Sequence, residues 1–411
     1  MSEWKTIKIV DASLEIIDGD RGKNYPKQSD FSPEGYCLFL NAGNVTKDGF
    51  NFANTLFITQ TKDEVLRKGK LKREDIVLTT RGTVGNVALY NNKIPYDNVR
   101  INSGMVIFRV NPNDISADYL YHYLRSEMFQ NSILCKRSGS AQPQLPIRDI
   151  KTMNLRLPPV KIQRKIARVL SSLDDKIELN AQINHNLEEQ AKAIFKSWFV
   201  DFEPFQDERF VETEYGSIPK SWRLITLGEV TEEIRTKIKN KTTTVFSAIK
   251  TGELTPSEEY FTKQVYSKDI SKYIEVAPLT FAYNPARVNI GSLGLNKFPY
   301  TGCVSPVYVV FKSESEYHHF FDFTFKRAFF REEVRVRASG SVRQSLSYAD
   351  FSLIKIIYPP NDVVEKFNQI YGKISASIRH NQKEIQTLAL LRDTLLPKLM
   401  SGELDISEVQ V

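Results

Sequence analysis

The sequence has few residues that could bind a metal ion or form disulfides. Its three cysteines, Cys37, Cys135 and Cys303, have neither an even count nor the paired spacing of a zinc site. Such cysteine usage is typical of a reducing compartment, so we expect a cytoplasmic protein. The five histidines are scattered, and His318-His319 lies in an aromatic segment where a structural or surface role is more common than metal binding. We therefore expect no metal site.

Motifs of catalysis, secretion and membrane insertion are also missing. The sequence has no glycine-rich cofactor loop after a strand, no Walker motif and no His-Glu-x-x-His. Tyr283–Ala286 and Tyr358–Asn361 lack the residue order of an Asn-Pro-Pro-aromatic methyltransferase motif. No run approaches about 18 apolar residues, and residues 1–13 lack the basic and then apolar order of a signal peptide. These absences argue against an enzyme, a secreted protein and a membrane-spanning protein.

What the sequence does contain is a modest basic excess and enough apolar residues for more than one core. The 411 residues include 56 basic and 49 acidic side chains, a net charge of +7, and 41% are hydrophobic. A chain of this length and composition is expected to fold into more than one domain. The charge permits a polyanionic partner without requiring one.

The most informative feature is an internal duplication. The stretch that begins at Trp4 recurs from Trp222, and Arg81 and Gly85 have counterparts in Arg287 and Gly291. Further along, residues match at a constant offset, as Gly139, Ser140, Leu145, Pro158 and Pro159 do with Gly340, Ser341, Leu346, Pro359 and Pro360. A repeat this long excludes a solenoid of short repeats and predicts two domains related by pseudo-symmetry.

Each copy is predicted to be a globular part followed by a long helix. In the first copy, Ile76–Leu78, Val87–Leu89 and Met105–Phe108 are short apolar runs that predict strands. Asp118–Phe129 predicts a short helix, with His319–Phe330 as its counterpart. The phenylalanines of the counterpart could stack on bases, but their helical spacing favours the core. They are Phe320, Phe321, Phe323, Phe325 and Phe329.

A heptad pattern predicts one long helix in each copy. The residues expected on the pairing seam are Ile166, Leu173, Ile177, Asn180, Leu187, Ile374, Ile378, Asn381, Leu388 and Leu395. Arg392 occupies a seam position and weakens the pattern there. Antiparallel pairing is expected, since parallel helices would oblige the intervening domain to bridge about 60 Å. Asn180 and Asn381 would then lie near the helix midpoints, where they could hydrogen-bond to each other.

The predicted fold is α+β, with two pseudo-symmetric globular domains separated by a long antiparallel two-helix coiled coil. The predicted segments are a first globular domain at 1–158, a helix at 159–200, a second globular domain at 201–359, a helix at 360–401 and a tail at 402–411.

The order of these parts resembles the specificity subunit of type I restriction-modification systems. The motifs that carry the resemblance are Pro158-Pro159 before the first long helix, the run Phe195–Phe205 after it, and Ile218–Trp222 at the start of the second copy. The resemblance implies a non-catalytic subunit whose two target recognition domains each read one part of a bipartite, asymmetric DNA site. It also implies that the helices set the unread gap. The implied partners are double-stranded DNA, two adenine methyltransferase subunits that would bind S-adenosylmethionine, and restriction subunits.

Candidate DNA contacts lie in polar and basic loops of the globular parts, because phosphates attract Lys and Arg, while base edges are read by Arg, Asn, Gln, Ser and Thr. The candidates are Arg21, Lys23, Asn24, Thr80, Arg81, Thr83, Asn86, Lys136, Arg137, Ser140 and Gln142 in the first copy, and Arg235, Lys237, Arg287, Asn289, Ser292, Arg337, Ser341, Arg343 and Gln344 in the second. The loop at residues 79–86 is equally well interpreted as a strand-connecting turn. A solvated surface is the more common role for the segments that contain Arg21 and Arg235.

Two other classes of protein remain open at this point. The chain could be a structural coiled-coil scaffold without sequence-specific DNA binding, or a nuclease or methyltransferase with a concealed site. Helix surfaces outside the seam, at Arg164, Arg168, Phe195 and Phe199, are expected to bind partner subunits, although the two aromatic residues could instead close a domain junction.

Overall fold

The computed structural model of the chain describes residues 4–139, 143–238, 242–338 and 345–406. The chain forms two compact units: unit 1 comprises Met1–Gln182 and Asn381–Val411, and unit 2 comprises Ile183–His380. Each unit therefore holds one globular portion and part of each long helix. The boundaries of the two units differ from those of the segments expected from the sequence. Each long helix is divided between the units, because each helix end is grouped with the globular portion against which it packs.

Unit 1 contains eleven strands among its described residues. They are β1 (Lys5–Lys8), β2 (Leu14–Asp18), β3 (Cys37–Phe39), β4 (Val45–Thr46), β5 (Gly49–Phe50), β6 (Phe57–Ile58), β7 (Asp75–Thr79), β8 (Val87–Tyr90), β9 (Val99–Arg100), β10 (Met105–Val110) and β11 (Asn154–Leu157). Its short helices are α1 (Gln60–Val65), α2 (Ala117–Arg125), α3 (Glu127–Lys136) and α4 (Ile147–Lys151). The first long helix, α5 (Val160–Phe199), begins in this unit and ends in unit 2.

Unit 2 contains twelve strands among its described residues. They are β12 (Phe210–Thr213), β13 (Gly216–Pro219), β14 (Arg223–Thr226), β15 (Thr231–Ile234), β16 (Phe246–Ile249), β17 (Glu253–Pro256), β18 (Ile274–Val276), β19 (Phe281–Tyr283), β20 (Leu293–Leu295), β21 (Gly302–Val304), β22 (Val309–Ser313) and β23 (Lys355–Tyr358). Its short helices are α6 (Ser257–Tyr260), α7 (His318–Phe325), α8 (Ala328–Arg337) and α9 (Tyr348–Ser352). The second long helix is α10 (Asn361–Ser401), which ends in unit 1.

Both units contain an antiparallel four-stranded sheet with the same topology. The strand order is β2-β10-β7-β8 in unit 1 and β15-β22-β19-β20 in unit 2. In each unit, the strand before this sheet pairs with the strand that leads into a long helix, β1 with β11 and β14 with β23. The repeated topology confirms the duplicated α+β fold that the sequence predicts.

Strand β7 shows why an uninterrupted apolar run forms a strand here. Ile76 and Leu78 face one hydrophobic core, which includes residues of α2, while Val77 faces a second core that includes Leu38 of β3. A strand buried on both faces is apolar at consecutive positions instead of alternate ones. The three strands predicted in the first copy are confirmed as parts of β7, β8 and β10.

The single helix predicted at Asp118–Phe129 is wrong, because the chain forms two helices there. Helix α2 ends at Arg125 and α3 begins at Glu127, while Ser126 between them is extended with ψ 148°. The Ser126 hydroxyl donates to the carbonyl of Tyr123 at 2.6 Å and accepts from the N–H of Phe129 at 3.4 Å, so it caps both helix ends. Unit 2 has a break at the equivalent place, where Lys326 and Arg327 separate α7 from α8. Periodicity cannot detect it, since the apolar spacing continues across the break.

The phenylalanines of α7 lie in the core of unit 2, as predicted. Phe320, Phe321 and Phe325 are buried, and Phe321 and Phe325 stack at 5.5 Å between ring centroids. Phe325 also contacts Phe330 and Phe351, at 4.7 and 5.8 Å. Their faces are occupied by other side chains and are not available to stack on bases.

The two long helices run antiparallel where they pair in unit 1. Asn180 Nδ2 donates to Glu384 Oε2 at 2.8 Å, and Asp174 binds Arg392 at 2.7 Å. Asp174 precedes Asn180 on α5, whereas its partner Arg392 follows Glu384 on α10. Only antiparallel helices give this order of contacts. Among the described residues, no helix is long and apolar enough to cross a membrane.

The residues predicted for the seam are all buried or half-buried. Ile166 and Asn180 are buried, and Leu173, Ile177, Leu187, Ile374, Ile378, Asn381, Leu388 and Leu395 are half-buried. Asn180 has a partner that the sequence analysis did not foresee, the carboxylate of Glu384, and its bond to Asn381 stays a prediction. Arg392 is accommodated at its seam position by the ion pair with Asp174.

The expectation that Phe195 and Phe199 form a partner-binding surface is wrong. They are 4% and 2% exposed and belong to the main core of unit 2. Phe195 contacts Phe323 of α7 and Phe367 of α10, with centroid distances of 5.0 and 5.8 Å. These aromatic residues close the junction between helix and globular portion, the alternative considered above.

Candidate nucleic-acid interface

In unit 1, two of the predicted DNA-contact segments meet at the turn Asn102–Gly104, between β9 and β10. Arg21 Nη2 donates to the carbonyl of Ser103 at 3.2 Å. The N–H groups of Thr80 and Arg81 donate to the carbonyl of Gly104 at 2.7 and 3.2 Å. The loop after β2 and the β7–β8 hairpin therefore flank a common turn.

The third predicted segment, after α3, lies beside the same hairpin. Gln144 forms antiparallel bridges with both Arg81 and Ser138, and the N–H of Leu145 donates to the carbonyl of Thr80 at 2.9 Å. These bonds place the exposed Arg137 on a segment adjacent to Arg81. The structure thus brings together three segments that are far apart in the sequence.

The two hairpins each need glycine at an equivalent position. Gly85 has φ +102°, and a Cβ there would lie 2.8 Å from Gln130 Oε1. Gly291 has φ +95°, and a Cβ would lie 2.6 Å from the carbonyl oxygen of Lys250. Any residue with a side chain would be strained in a left-handed backbone with so little space. This constraint fixes the hairpin ends from which Arg81 and Arg287 emerge.

The hairpin of unit 2 is arranged like that of unit 1. The N–H of Arg287 donates to Asn284 O at 2.9 Å, and the N–H of Leu346 donates to Pro285 O at 3.2 Å. The segment that follows α8 therefore adjoins this hairpin, as the segment after α3 adjoins the other. Arg287 itself is exposed. Asn289 lies half-buried in the same hairpin.

The predicted basic residues differ in whether an acidic neighbour already pairs with them. Arg21 binds Asp18 at 3.2 Å, Arg235 binds Glu233 at 2.8 Å, and Arg337 binds Glu333. Lys136 Nζ donates to Thr152 Oγ1 at 2.9 Å. Within the part of the chain that the structure describes, the exposed side chains without a hydrogen-bond or ion-pair partner include Arg81, Arg137, Arg287, Lys23 and Lys237. A cation without an internal partner can bind DNA without first breaking a protein contact.

Several predicted polar contacts also hold the scaffold. Thr80 and Ser292 are 5% and 3% exposed. Asn86 Nδ2 donates to the carbonyl of Val45 at 2.9 Å, and Asn24 Nδ2 donates to that of Val65 at 3.3 Å. Thr83 is exposed, and its carbonyl accepts a hydrogen bond from the hydroxyl of Thr79. The other predicted contacts, Ser140, Gln142, Ser341, Arg343 and Gln344, lie outside the described residues.

Sequence reasoning missed Arg67 and Lys68, which follow α1 and border a cavity beside Arg21. No sequence pattern marks them, because they are distant from that loop along the chain. Asp20 joins the two segments: its carboxylate accepts the N–H of Gly22 and the N–H of Arg67, each at 2.7 Å. Burial alone would raise the pKa of Asp20, but these bonds and the nearby Arg67 charge outweigh it, so its pKa lies below the ordinary value.

Three comparisons with known proteins agree with one another. Residues 1–189 match the family model of the type I restriction modification DNA specificity domain. The chain is 28% identical over 348 residues to the type I restriction enzyme MjaIX specificity subunit of Methanocaldococcus jannaschii, covering 81% of this chain and 78% of that protein. It is 23% identical to the HindI specificity subunit of Haemophilus influenzae, covering 98% of this chain and 100% of that protein.

The chain is similar in sequence to type I specificity subunits, and residues 1–189 match their DNA specificity domain. Its fold agrees with that of a solved protein, the S subunit of a type I restriction-modification system from M. genitalium, with a TM-score of 0.59 at 17% identity. That alignment covers 97% of this chain and 96% of the solved chain. The match extends over nearly the whole of both chains, so it supports the fold that the resemblance implied.

Proposed function

We propose that the chain reads a DNA sequence for a type I restriction-modification complex, with one reading surface in each unit. The observation that carries this proposal is the recurrence of one arrangement: a glycine-constrained hairpin, an adjoining segment after a helix, and an exposed arginine, Arg81 or Arg287, that has no partner among the described residues. Arginine reads guanine by donating two hydrogen bonds in the major groove. The match of residues 1–189 to a DNA specificity domain supports DNA as the ligand.

The two surfaces should read different half-sites, so the whole site is bipartite and asymmetric. The surfaces share a backbone arrangement but not their side chains: Thr83 stands two residues after Arg81, whereas Asn289 stands two residues after Arg287. Base readout depends on these side chains, while the backbone only positions them. In this proposal α5 and α10 set the unread gap between the half-sites.

The proposed partners supply the chemistry. Two methyltransferase subunits that bind S-adenosylmethionine would assemble on this chain, restriction subunits would join them, and the chain itself would be non-catalytic. Similarity to restriction-enzyme subunits supports assembly with other components of such a complex. The exposed helix residues Arg164 and Arg168 are candidates for partner contacts.

Mapping of methylated adenines in the source genome tests the proposal. We expect methylation at one bipartite motif with a fixed gap, and its loss when the gene for this chain is deleted. Restoring the gene should restore the same motif. Methylation that persists without the chain, or a purified complex that binds unrelated duplexes equally well, would favour the structural scaffold and contradict the proposal.

Shortening both helices together should change the gap and leave the bases unchanged. Removal of residues 183–189 and 375–381 takes two turns from each helix at facing positions, or about 10 Å at 1.5 Å per residue. It preserves the Asn180–Glu384 bond on one side and the Phe195–Phe367 contact on the other. The mapped motif should keep both half-sites with a shorter gap.

The control deletes 183–189 alone, which places the two helices out of register and should abolish methylation. If the paired deletion methylates DNA with the original gap, the helices do not set the spacing.

A further inference from the structure

A small cavity lies beside the reading surface of unit 1. Its volume is about 270 Å³, and it is lined by the loop Asp18–Gly22 together with Arg67 and Lys68. The lining residues include three basic side chains, Arg21, Arg67 and Lys68, against the two acidic ones of Asp18 and Asp20, which leaves an excess of one positive charge.

The acidic residues of this cavity already have partners within the protein. Both oxygens of Asp20 accept backbone N–H groups, and Asp18 pairs with Arg21 at 3.2 Å. Among the described residues, neither Arg67 nor Lys68 has a side-chain hydrogen bond or ion pair, and both are exposed. Two cations at the rim are therefore available to an anion from solution.

The loop that lines the cavity is tightly packed against the neighbouring turn. A Cβ at Gly19 would lie 2.2 Å from the carbonyl oxygen of Asn102, and one at Gly22 would lie 2.7 Å from Arg67 Nη2. The first contact presses the loop against the turn Asn102–Gly104. The second shows that the Arg67 guanidinium lies directly over Gly22.

A short series of contacts leads from this cavity to Arg81. The Arg67 N–H binds Asp20, the adjacent Arg21 binds the carbonyl of Ser103, and the carbonyl of Gly104 accepts the N–H of Arg81. The cavity and Arg81 thus flank one turn. In a duplex, the base edges and the phosphates of one strand also lie near each other. One DNA segment can therefore contact both Arg81 and the cavity.

We propose that Arg67 and Lys68 form a phosphate-binding site that positions the DNA backbone while Arg81 reads the adjacent half-site. The ligand is a phosphodiester of duplex DNA, held by charge and not by base identity. The site belongs to unit 1, where the loop Asp18–Gly22 and the residues Arg67 and Lys68 line the cavity. This inference rests on the proposed function, and it assigns residues that the sequence analysis did not select.

The test measures binding of a duplex carrying the mapped motif to the full chain assembled with its methyltransferase subunits, across a series of salt concentrations. For Arg67→Ala/Lys68→Ala we expect weaker binding to every duplex, and a slope of log affinity against log salt that is smaller by about 1 to 2. The preferred sequence should be unchanged. Gly22→Ala retains every charge but displaces the Arg67 guanidinium, and it should shift the slope in the same direction.

The matched control is Lys5→Ala/Lys8→Ala, which removes the same charge from exposed positions of β1 and should leave the slope unchanged. A slope unaltered by Arg67→Ala/Lys68→Ala, or altered as much by the control, overturns the phosphate site. A change in the preferred DNA sequence of Arg67→Ala/Lys68→Ala also overturns it. If the unmutated complex instead binds a scrambled duplex as tightly as the mapped one, the proposed function fails, which is a distinct result.

Discussion

Alanine at Arg81 is expected to relax recognition in one half-site only, and alanine at Arg287 in the other half-site only. Each arginine emerges from an equivalent hairpin, one per unit, and neither has an internal partner among the described residues. Loss of a bidentate contact to a base should cost about 1–3 kcal/mol of discrimination at that base pair. The genome of a cell that expresses each variant should therefore show a degenerate base in one half of the motif and an intact other half.

The control for this pair is Arg335→Ala, which removes an exposed arginine that Glu332 already binds at 2.6 Å. It should leave both half-sites as they were. The informative comparison is between halves within one variant, because a general loss of stability or affinity would lower methylation at all sites equally. Equal degeneracy in both halves after Arg81→Ala would contradict a model with one reader per unit.

The duplication and the strands could be predicted from the sequence because both are encoded locally. A buried strand such as β7 requires a short apolar run, and a helix seam requires an apolar residue at every third or fourth position. Antiparallel helix pairing followed from chain connectivity alone. For these features, spacing along the chain determines position in space.

The reading surface was only partly predictable, because it depends on contacts between distant residues. Arg81 stood out through its counterpart Arg287, but nothing local indicates that Arg21 binds the carbonyl of Ser103, 82 positions away. Arg67 went unnoticed for the same reason. Asn86 was chosen for its residue type, whereas its amide donates to Val45 in a neighbouring hairpin. Residue type predicts what a side chain can bind, and the tertiary fold decides which partner it meets.

The misassignment of Phe195 has a similar cause. Outside a two-helix seam, an aromatic residue looks exposed as long as only two helices are considered. Helix α7 supplies a third surface, and Phe323 stacks on Phe195 with an interplanar angle of 16°. The helix junction of unit 2 is therefore an aromatic core, and its residues serve stability.

This reassignment leads to a large expected effect on stability. Phe195→Ala should lower the free energy of unfolding of unit 2 by about 3–5 kcal/mol, since it leaves a cavity among aromatic side chains that are themselves fixed by other contacts. The rings around this cavity are Phe199, Phe320, Phe323 and Phe367. Chemical denaturation followed by tryptophan fluorescence measures the loss, because Trp222 contacts Phe199 at 5.8 Å in the same core.

Leu390→Ala is the matched control, a truncated apolar residue on a long helix whose side chain is 70% exposed. It should change the free energy of unfolding by no more than about 0.5 kcal/mol. The comparison separates the two roles considered for Phe195, because a partner-binding residue affects assembly and not the unfolding of the isolated chain. If Phe195→Ala unfolds at the same denaturant concentration as the unmutated chain but no longer binds the methyltransferase subunits, the residue is a partner contact after all. If Phe195→Ala changes both unfolding and binding of the methyltransferase subunits, the Phe195→Leu variant distinguishes the two roles. Leucine largely refills the core, so with a core role the binding of the methyltransferase subunits should recover together with the stability.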